Sequence, residues 1–504
     1  MRKEISRRSF LKGTAAGAVG VAALGVLNLP VSAQGEISWD EETDVIVVGA
    51  GSTGLCAGAE AAKAGAKVRI FEKAGFAGGT TNFSGGFIQA SATRAQKEYT
   101  KYQDDSPEKH AAQWIKMGEG IVDEELVTDL AYGAPGHIAW LEDDIGLKFT
   151  SVTGISHIPY VEDELMADRV HGYEGGGGNV LIMALLKHAE GQGAQIDYDS
   201  EVTRLYQNAD KVIIGAEVKM KDKTIKVKAN KGVVLAAASI DNNKEMAKRL
   251  SPQHYWDLTT QKCLVAVTNT GDGIRMGMEV GADVMGIGGC IDFCGKTYAG
   301  TSYQTPLFPS FIVNQAARRF VCEDATYGYH YRAIFQQEKQ LNGPTYMIFG
   351  KNSLVAPGMT WTEESLAKDV ADGVVVTADT IEALAEALKL NPETMKETLD
   401  KWNADMAKGT DSQFGRKTGL EPIEGPFYAY KNVSFNLGSL GGLRINKEAQ
   451  VLTPAGEPIP HLYAGGMNSG GWIGPYYPGS GTAIMGTIHW GRKAGMNAAA
   501  EASI

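Results

Sequence analysis

The first strong pattern along the chain is an apolar run of strand length, Asp44-Val45-Ile46-Val47-Val48. It stops at Gly49-Ala50-Gly51-Ser52-Thr53-Gly54 and continues as a small-residue stretch, Leu55 to Ala64, that reads as a helix. A second apolar run, Lys67-Val68-Arg69-Ile70-Phe71, ends at Glu72. Strand, glycine turn, helix and strand in that order predict a βαβ unit. Farther on, mixed polar and apolar positions predict helix around residues 107–145, then a loop over 171–179 with four consecutive glycines, then helix over 180–188. Residues 198–218 and 224–236 alternate like antiparallel strands, with turns at Asn208-Ala209-Asp210 and Lys221-Asp222-Lys223. The run Val233-Val234-Leu235-Ala236-Ala237-Ala238 abandons alternation and predicts a strand buried on both faces.

Gly271-Asp272-Gly273 opens a helix over 274–280, after which the pattern changes. Between 286 and 435 amphipathic helices are predicted over 381–388 and 392–406, the second with Asn391 as N-cap. The glycine-rich style then returns at Leu440-Gly441-Gly442-Leu443-Arg444-Ile445 and His461-Leu462-Tyr463-Ala464-Gly465-Gly466, before a final helix. This organisation predicts a nucleotide-binding domain at 40–285 and 436–504, interrupted by a capping domain at 286–435.

Composition changes the picture at three points. Sixty-two glycines in 504 residues, with no Gly-X-Y period, imply many tight turns and close backbone approaches. A net charge of −11 argues against nucleic acid or an anionic membrane surface as the main partner. Five cysteines (Cys56, Cys263, Cys290, Cys294 and Cys322) form no disulfide framework, and Cys290 and Cys294 lie too far from other ligand types along the chain to indicate a metal site. No Cys-x-x-Cys-His attaches a c-type haem, so an electron partner is expected to be a separate protein or a membrane donor.

Residues 1–33 stand apart from the fold. Ser6-Arg7-Arg8-Ser9-Phe10-Leu11-Lys12, a small-residue apolar run and Val31-Ser32-Ala33 resemble a twin-arginine export signal, cleaved or kept as an anchor. The resemblance implies passage through the twin-arginine machinery to the periplasmic or cell-surface side. Such export carries folded proteins, so the cofactor is expected to be inserted beforehand and tightly held.

The βαβ unit carries a dinucleotide fingerprint. Gly49 allows the tight turn, Gly51 lets the backbone reach a pyrophosphate, and Gly54 lets helix and strand touch. The helix N-terminus faces the phosphate charge, and Glu72, about 20 residues on, can accept both ribose hydroxyls. Nicotinamide and flavin enzymes share this fingerprint. The segment Gly78-Gly79-Thr80-Thr81-Asn82-Phe83-Ser84-Gly85-Gly86 and the late return at 462–466 favour FAD, because a flavin spans the domain and needs a remote segment for its ring end.

These motifs, with Thr270-Gly271-Asp272-Gly273, Arg319-Phe320-Val321-Cys322-Glu323 and Gly441-Gly442, follow the order of the FAD-dependent fumarate reductase/3-ketosteroid dehydrogenase superfamily, which nearly all of the chain after the signal resembles. The resemblance implies an α/β fold: a Rossmann-like FAD-binding domain interrupted by an α+β capping (substrate) domain. It implies cofactor contacts from Gly49, Gly51, Ser52, Thr53, Gly54, Glu72, Lys73, Gly79, Thr80, Thr81, Ser84, Gly85 and Gly86. Further contacts are implied for Val202, Ala237, Asp272, Gly466, Met467, Thr482, Ala483 and Ile484. Two departures stand out: Ala238-Ser239-Ile240-Asp241 replaces a glycine pair, and Met467 replaces a polar flavin ligand.

Within the superfamily, enzymes that reduce fumarate-like dicarboxylates resemble one another in clamping carboxylates with arginine and histidine. Here the corresponding positions read Tyr327, Gly438 and Tyr477-Pro478-Gly479-Ser480-Gly481, as in the ketosteroid dehydrogenase branch. A neutral ketone needs neutral donors at an oxygen that becomes enolate-like, whereas a carboxylate needs permanent cations. The reading is therefore a ketone or enone substrate, steroid-like or otherwise bulky and apolar. The Tyr477 hydroxyl and Gly481 amide hold its carbonyl, Tyr327 exchanges the α-proton, and flavin N5 exchanges hydride at the β-carbon.

A free tyrosine titrates at about 10, so Tyr327 needs a neighbour to act as base, with Tyr329, His330 or Tyr331 as candidates. Alternatives stay open. Tyr476 and Tyr477 could cover apolar surface in a turn, Tyr327 could pack the cap, and His171 and Tyr173 could serve the glycine loop or the pocket wall. Arg318, Arg319 and Arg332 could support a reductase of unsaturated acids, although Arg318 and Arg319 fit ion pairs near Glu323. A flavin electron carrier without an organic substrate is the third reading, and the reaction direction leans to reduction.

Overall fold

The computed structural model describes residues 37–504 except 155–156, 261, 296–306, 358 and 360. The export signal expected at 1–33 lies outside the described residues. The chain divides into Met1–Asp40 and a compact unit, Glu41–Ile504, which carries all that follows.

β1 (Glu41–Val48), α1 (Ser52–Lys63) and β2 (Val68–Phe71) form the expected βαβ unit, with β1 and β2 parallel from Val45 against Val68 to Val48 against Phe71. β3 (Gln195–Asp197) continues the sheet parallel to β2. β4 (Glu201–Gln207) and β5 (Ile213–Lys219) are an antiparallel hairpin, its turn fixed by Asn208 Oδ1 accepting the N–H groups of Asp210 and Val212 at 3.0 Å. β6 (Thr224–Leu235) lies parallel to β1 from Val227 to Leu235 and changes partner on its other edge: Thr224–Lys228 pair antiparallel with β5, whereas Val233–Leu235, fully buried, pair parallel with Leu462–Ala464. The switch from alternating to continuous apolar residues marks that change of partner.

The helical region predicted over 107–145 resolves into two helices, Pro107–Met117 and Glu124–Asp143. Gly120 takes a left-handed φ of 78° between them, and Asp123 caps the second by accepting two backbone N–H groups. α2 (Pro252–Thr260) and β7 (Lys262–Cys263) come next, then β8 (Cys290–Gly295). β9 (Ser310–Val313), α3 (Tyr327–Leu341), β10 (Tyr346–Gly350), β11 (Val375–Ala378), α4 (Pro392–Met406) and β12 (Phe427–Lys431) follow. The strands β9-β10-β12-β11 make an antiparallel sheet whose own apolar core gathers Phe311, Ile348 and Trp402. The Asn391 side chain caps α4 by accepting Thr394 N–H at 2.8 Å.

β13 (Val433–Ser439) sits between β7 and β8 in a separate three-stranded sheet. β14 (Gln450–Leu452) and β15 (Pro458–Ala464) then return to the first sheet, giving the order β14-β15-β6-β1-β2-β3. α5 (Thr482–Ala500) closes the chain and packs along α1, with Gly491 against Thr53 and Gly495 against Ala57.

Candidate active site

A cavity of about 420 Å³ runs along the carboxyl ends of β1 and β6. Every residue expected at the site lines it except Gly54, Gly466 and Thr482.

At one end, Gly49 has φ 99°, and a Cβ there would lie 2.7 Å from the Ala236 carbonyl oxygen. A Cβ at Gly54 would lie 1.8 Å from Gly49 O, so Gly54 serves helix–strand contact and not the cavity wall. Gly51 differs, because the nearest atom to its Cβ would be 3.9 Å away. The protein itself does not demand glycine at 51, and the room left there suits a pyrophosphate facing the first turn of α1. Glu72 is oriented by two backbone donors, Ala50 N–H to Oε2 and Ala74 N–H to Oε1, both at 2.8 Å. Lys73 donates to Thr270 Oγ1 at 2.7 Å and pairs with Asp272 at 2.5 Å.

In the middle, Thr80 Oγ1 accepts from Ala266 N–H and Asn269 Nδ2 at 3.1 and 2.8 Å. The Ser52 hydroxyl donates to Thr487 Oγ1 at 2.8 Å and lies 3.1 Å from Thr81 Oγ1. Gly466 is packed against Thr53, whose Oγ1 a Cβ would meet at 2.1 Å, and the Thr482 hydroxyl turns inward to Gln89 at 3.4 Å. Both therefore support the wall from behind.

At the other end stand Tyr327, Tyr477 and Gly481. Tyr477 is 5% exposed, and its Oη accepts the Ala483 N–H from the first turn of α5 at 2.8 Å. An oxygen that accepts in this way keeps its own hydrogen to donate. Burial raises the Tyr477 phenol well above its ordinary value, so it stays neutral. Tyr327 opens α3, with its hydroxyl 3.3 Å from Ser480 Oγ and its ring stacked on Phe293 at 4.2 Å. The two tyrosine rings are 6.0 Å apart. Gly328 makes this possible, since a Cβ there would lie 2.5 Å from Tyr477 O. Gly481 has φ 88°, and a Cβ would meet Gln89 N at 2.6 Å.

The neighbouring tyrosine has a different fate. Tyr476 is 2% exposed and sits outside the cavity, its hydroxyl 2.6 Å from that of Tyr160 and its ring beneath Arg332 at 4.7 Å. Tyr329 packs on Tyr476, and Tyr331 donates to Asp257. His330, which burial pushes down to about 3, is not in the wall either. The Tyr327 hydroxyl meets Ser480 Oγ. His171 is buried between Thr93 Oγ1 and Arg169 O, while Tyr173 donates to Gly177 O and holds the glycine loop.

The arginines are engaged elsewhere: Arg318 with Glu397, Arg319 with Glu323 and Asp411, Arg332 with Glu119. Among the described residues the cavity wall contains no arginine and no histidine. The sequence did not single out Phe293, Ser480, Asn269 or Thr487 for this wall. Only Ser480 carried a signal, its place in the glycine-rich loop; the others join through tertiary packing.

Residues 44–484 match the family model of the FAD binding domain. The chain belongs to that family. Residues 4–25 match the twin-arginine translocation signal, so the protein is exported across the cytoplasmic membrane, and no helix among the described residues is long and apolar enough to cross one. The chain is 31% identical to digoxin reductase of Eggerthella lenta over 557 residues, covering 99% of this chain and 98% of that protein. It is 32% identical to a probable fumarate reductase of Shewanella frigidimarina over 92% of this chain and 76% of that one. The crystal structure of 3-ketosteroid-Δ4-(5α)-dehydrogenase from Rhodococcus jostii RHA1 in complex with 4-androstene-3,17-dione is similar at a TM-score of 0.79 and 28% identity, covering 94% of this chain and 100% of that one. The chain is thus an FAD-dependent oxidoreductase of the fumarate reductase/3-ketosteroid dehydrogenase superfamily, acting on carbon–carbon double bonds of unsaturated substrates.

Proposed function

We propose that this enzyme reduces the C=C bond next to a ketone in a bulky apolar substrate. The observation that supports this reading is the wall around Tyr327 and Tyr477, which offers phenol and backbone donors with no arginine or histidine among the described residues. Residues 286–435 serve as the substrate-facing cap in this reading.

Gly51, Glu72, Lys73 and the 78–86 segment would hold the FAD. The bound cofactor supplies a hydride donor and acceptor. Tyr477 Oη, with its own lone pair committed to Ala483 N–H, donates its proton in a hydrogen bond to the substrate carbonyl, and the Gly481 N–H joins it. A neutral donor pair of this kind strengthens as the oxygen gains charge, so it acts more on the transition state than on the ground state. Tyr327 delivers the proton to the α-carbon, with Ser480 Oγ at its hydroxyl to hold it in place. The stacked Phe293 excludes water from that side. Electrons come from a separate exported or membrane-bound donor.

Similarity to a probable fumarate reductase favours a second reading, an unsaturated carboxylate as substrate. It requires a permanent cation that the described wall does not offer at this end. The two readings separate when the chemically reduced enzyme is mixed without oxygen with cyclic enones and with acrylate-type acids. The proposal expects enones to restore the oxidised flavin spectrum, and it fails if only the acids do so.

A further inference from the structure

Behind the cavity wall lies a polar cluster with no part in the proposed reaction. α2 packs against the small sheet β7-β13-β8, and their shared interior holds His254, Asp257, Cys290 and Asp292, each no more than 2% exposed. One ligand atom from each of His254, Asp257 and Cys290 lies within 4.8 Å of the others. Cys290 Sγ is 3.8 Å from His254 Nδ1. His254 Nε2 is 2.9 Å from the Asp241 carbonyl oxygen, which can only accept, so Nε2 carries the hydrogen and Nδ1 presents a lone pair to the cluster. A hydrogen bond from the far ring nitrogen to a carbonyl is the device that orients metal-binding histidines.

One carboxyl oxygen of the cluster is left without a donor. The Asn436 amide donates one N–H to His254 Nδ1 at 3.1 Å and the other to Asp257 Oδ2 at 2.8 Å, and Tyr331 donates to Asp257 Oδ1. The carboxyl groups of Asp257 and Asp292 face each other. Gln253 donates to Asp292 Oδ2 at 3.1 Å, but the buried Asp292 Oδ1 has no hydrogen-bond partner. No lysine or arginine among the described residues pairs with either carboxylate. Two facing buried carboxyl groups are costly to ionise together without a cation, and a divalent ion would let both ionise.

We propose that this cluster is a buried site for one divalent transition-metal ion of the zinc type, ligated by His254 Nδ1, Cys290 Sγ and a carboxylate oxygen of Asp257, with Asp292 beside them as the fourth donor. A tetrahedral zinc, with bonds of about 2.3 Å to sulfur and about 2.0 Å to nitrogen, places those two atoms about 3.6 Å apart. The observed 3.8 Å needs a movement of only a few tenths of an ångström. On binding, the Cys290 thiol loses its proton to solvent and the Asn436 amide gives up its place between the two acceptors. The ion ties α2 to β8, the strand that carries Phe293 and so the aromatic support of Tyr327. Sequence spacing hides the site, because the pairs His254/Asp257 on α2 and Cys290/Asp292 on β8 lie more than 30 residues apart.

The test is metal analysis of the purified holoenzyme, prepared without chelators, followed by stripping and titration with zinc(II) and cobalt(II). About one ion per chain is expected, and cobalt should add a thiolate-to-metal absorption band over the flavin spectrum. Cys290→Ser should abolish that band and His254→Gln should lower metal content at least about tenfold, with FAD content unchanged. Protein that carries full FAD, holds no metal and takes up neither ion would overturn the proposal. So would wild-type metal content in both variants.

Discussion

Replacing Tyr477 by phenylalanine is the sharpest perturbation of the reacting end, because it removes one oxygen and keeps the ring that packs near Tyr327 at 6.0 Å. Two losses follow from the same atom. The Ala483 N–H, at 2.8 Å, loses its acceptor at a half-buried helix start, a cost of about 1 kcal/mol in stability. The substrate oxygen loses one of two neutral donors, which in comparable sites costs about 10²–10³ in rate. These consequences are separable. Flavin content reports whether the fold holds, and single-turnover oxidation of the chemically reduced flavin by a cyclic enone reports the chemical step. Tyr477→Phe should keep its FAD and slow that step by about 10²-fold or more. Because burial keeps the phenol protonated, the wild-type rate should show no alkaline loss from Tyr477 through the ordinary tyrosine range near pH 10. A variant that holds FAD and reacts within about threefold of wild type would refute the carbonyl-holding role, since that difference is under 1 kcal/mol.

Four further outcomes follow. Tyr327→Phe should lose roughly 10²–10⁴ in the same single-turnover assay while staying yellow, whereas Tyr476→Phe, whose hydroxyl meets only Tyr160 outside the cavity, should stay close to wild type. Gly328→Ala puts a Cβ 2.5 Å from Tyr477 O and should cut turnover by about 10²-fold through displacement of both phenols, with a lower melting temperature. Gly51→Ala should fold with an apoprotein melting point near that of wild-type apoprotein yet retain little FAD, while Gly54→Ala, 1.8 Å from Gly49 O, should lower the melting point itself. Partial burial raises the Asp129 carboxyl, but hydrogen bonds from His489 and Lys493 outweigh it and bring it down to about 2. That depressed value contributes stability above the ordinary carboxylate range and loses it as pH falls from about 4 towards 2, so the melting difference between wild type and Asp129→Asn should shrink across that window.

The parts of the fold legible in the sequence are those whose physics is local. The βαβ unit around Gly49–Gly54, the Asn208 turn and the Asn391 cap all rest on contacts within a few residues. The partner switch of β6 was legible too, as a change from alternation to a continuous apolar run. The gap between the helices ending at Met117 and starting at Glu124 was missed because the apolar pattern persists across it, and only Gly120 and the Asp123 cap mark the break. At the site, Tyr477 and Tyr327 were reachable through resemblance. The choice of Tyr477 over Tyr476 also came through resemblance, since adjacent residues on a loop can face opposite ways without a local sequence signature. The cluster at His254 and Cys290 is the extreme case, assembled from a helix and a strand that are distant in sequence.

The most direct measurement is a structure of the oxidised holoenzyme with a saturated cyclic ketone bound. The ketone oxygen is expected within hydrogen-bond distance of Tyr477 Oη, roughly 2.6–2.9 Å, with the Tyr327 hydroxyl directed at the α-carbon. A ligand oxygen held instead by a guanidinium, or a ketone seated away from both phenols, would contradict the neutral-donor mechanism.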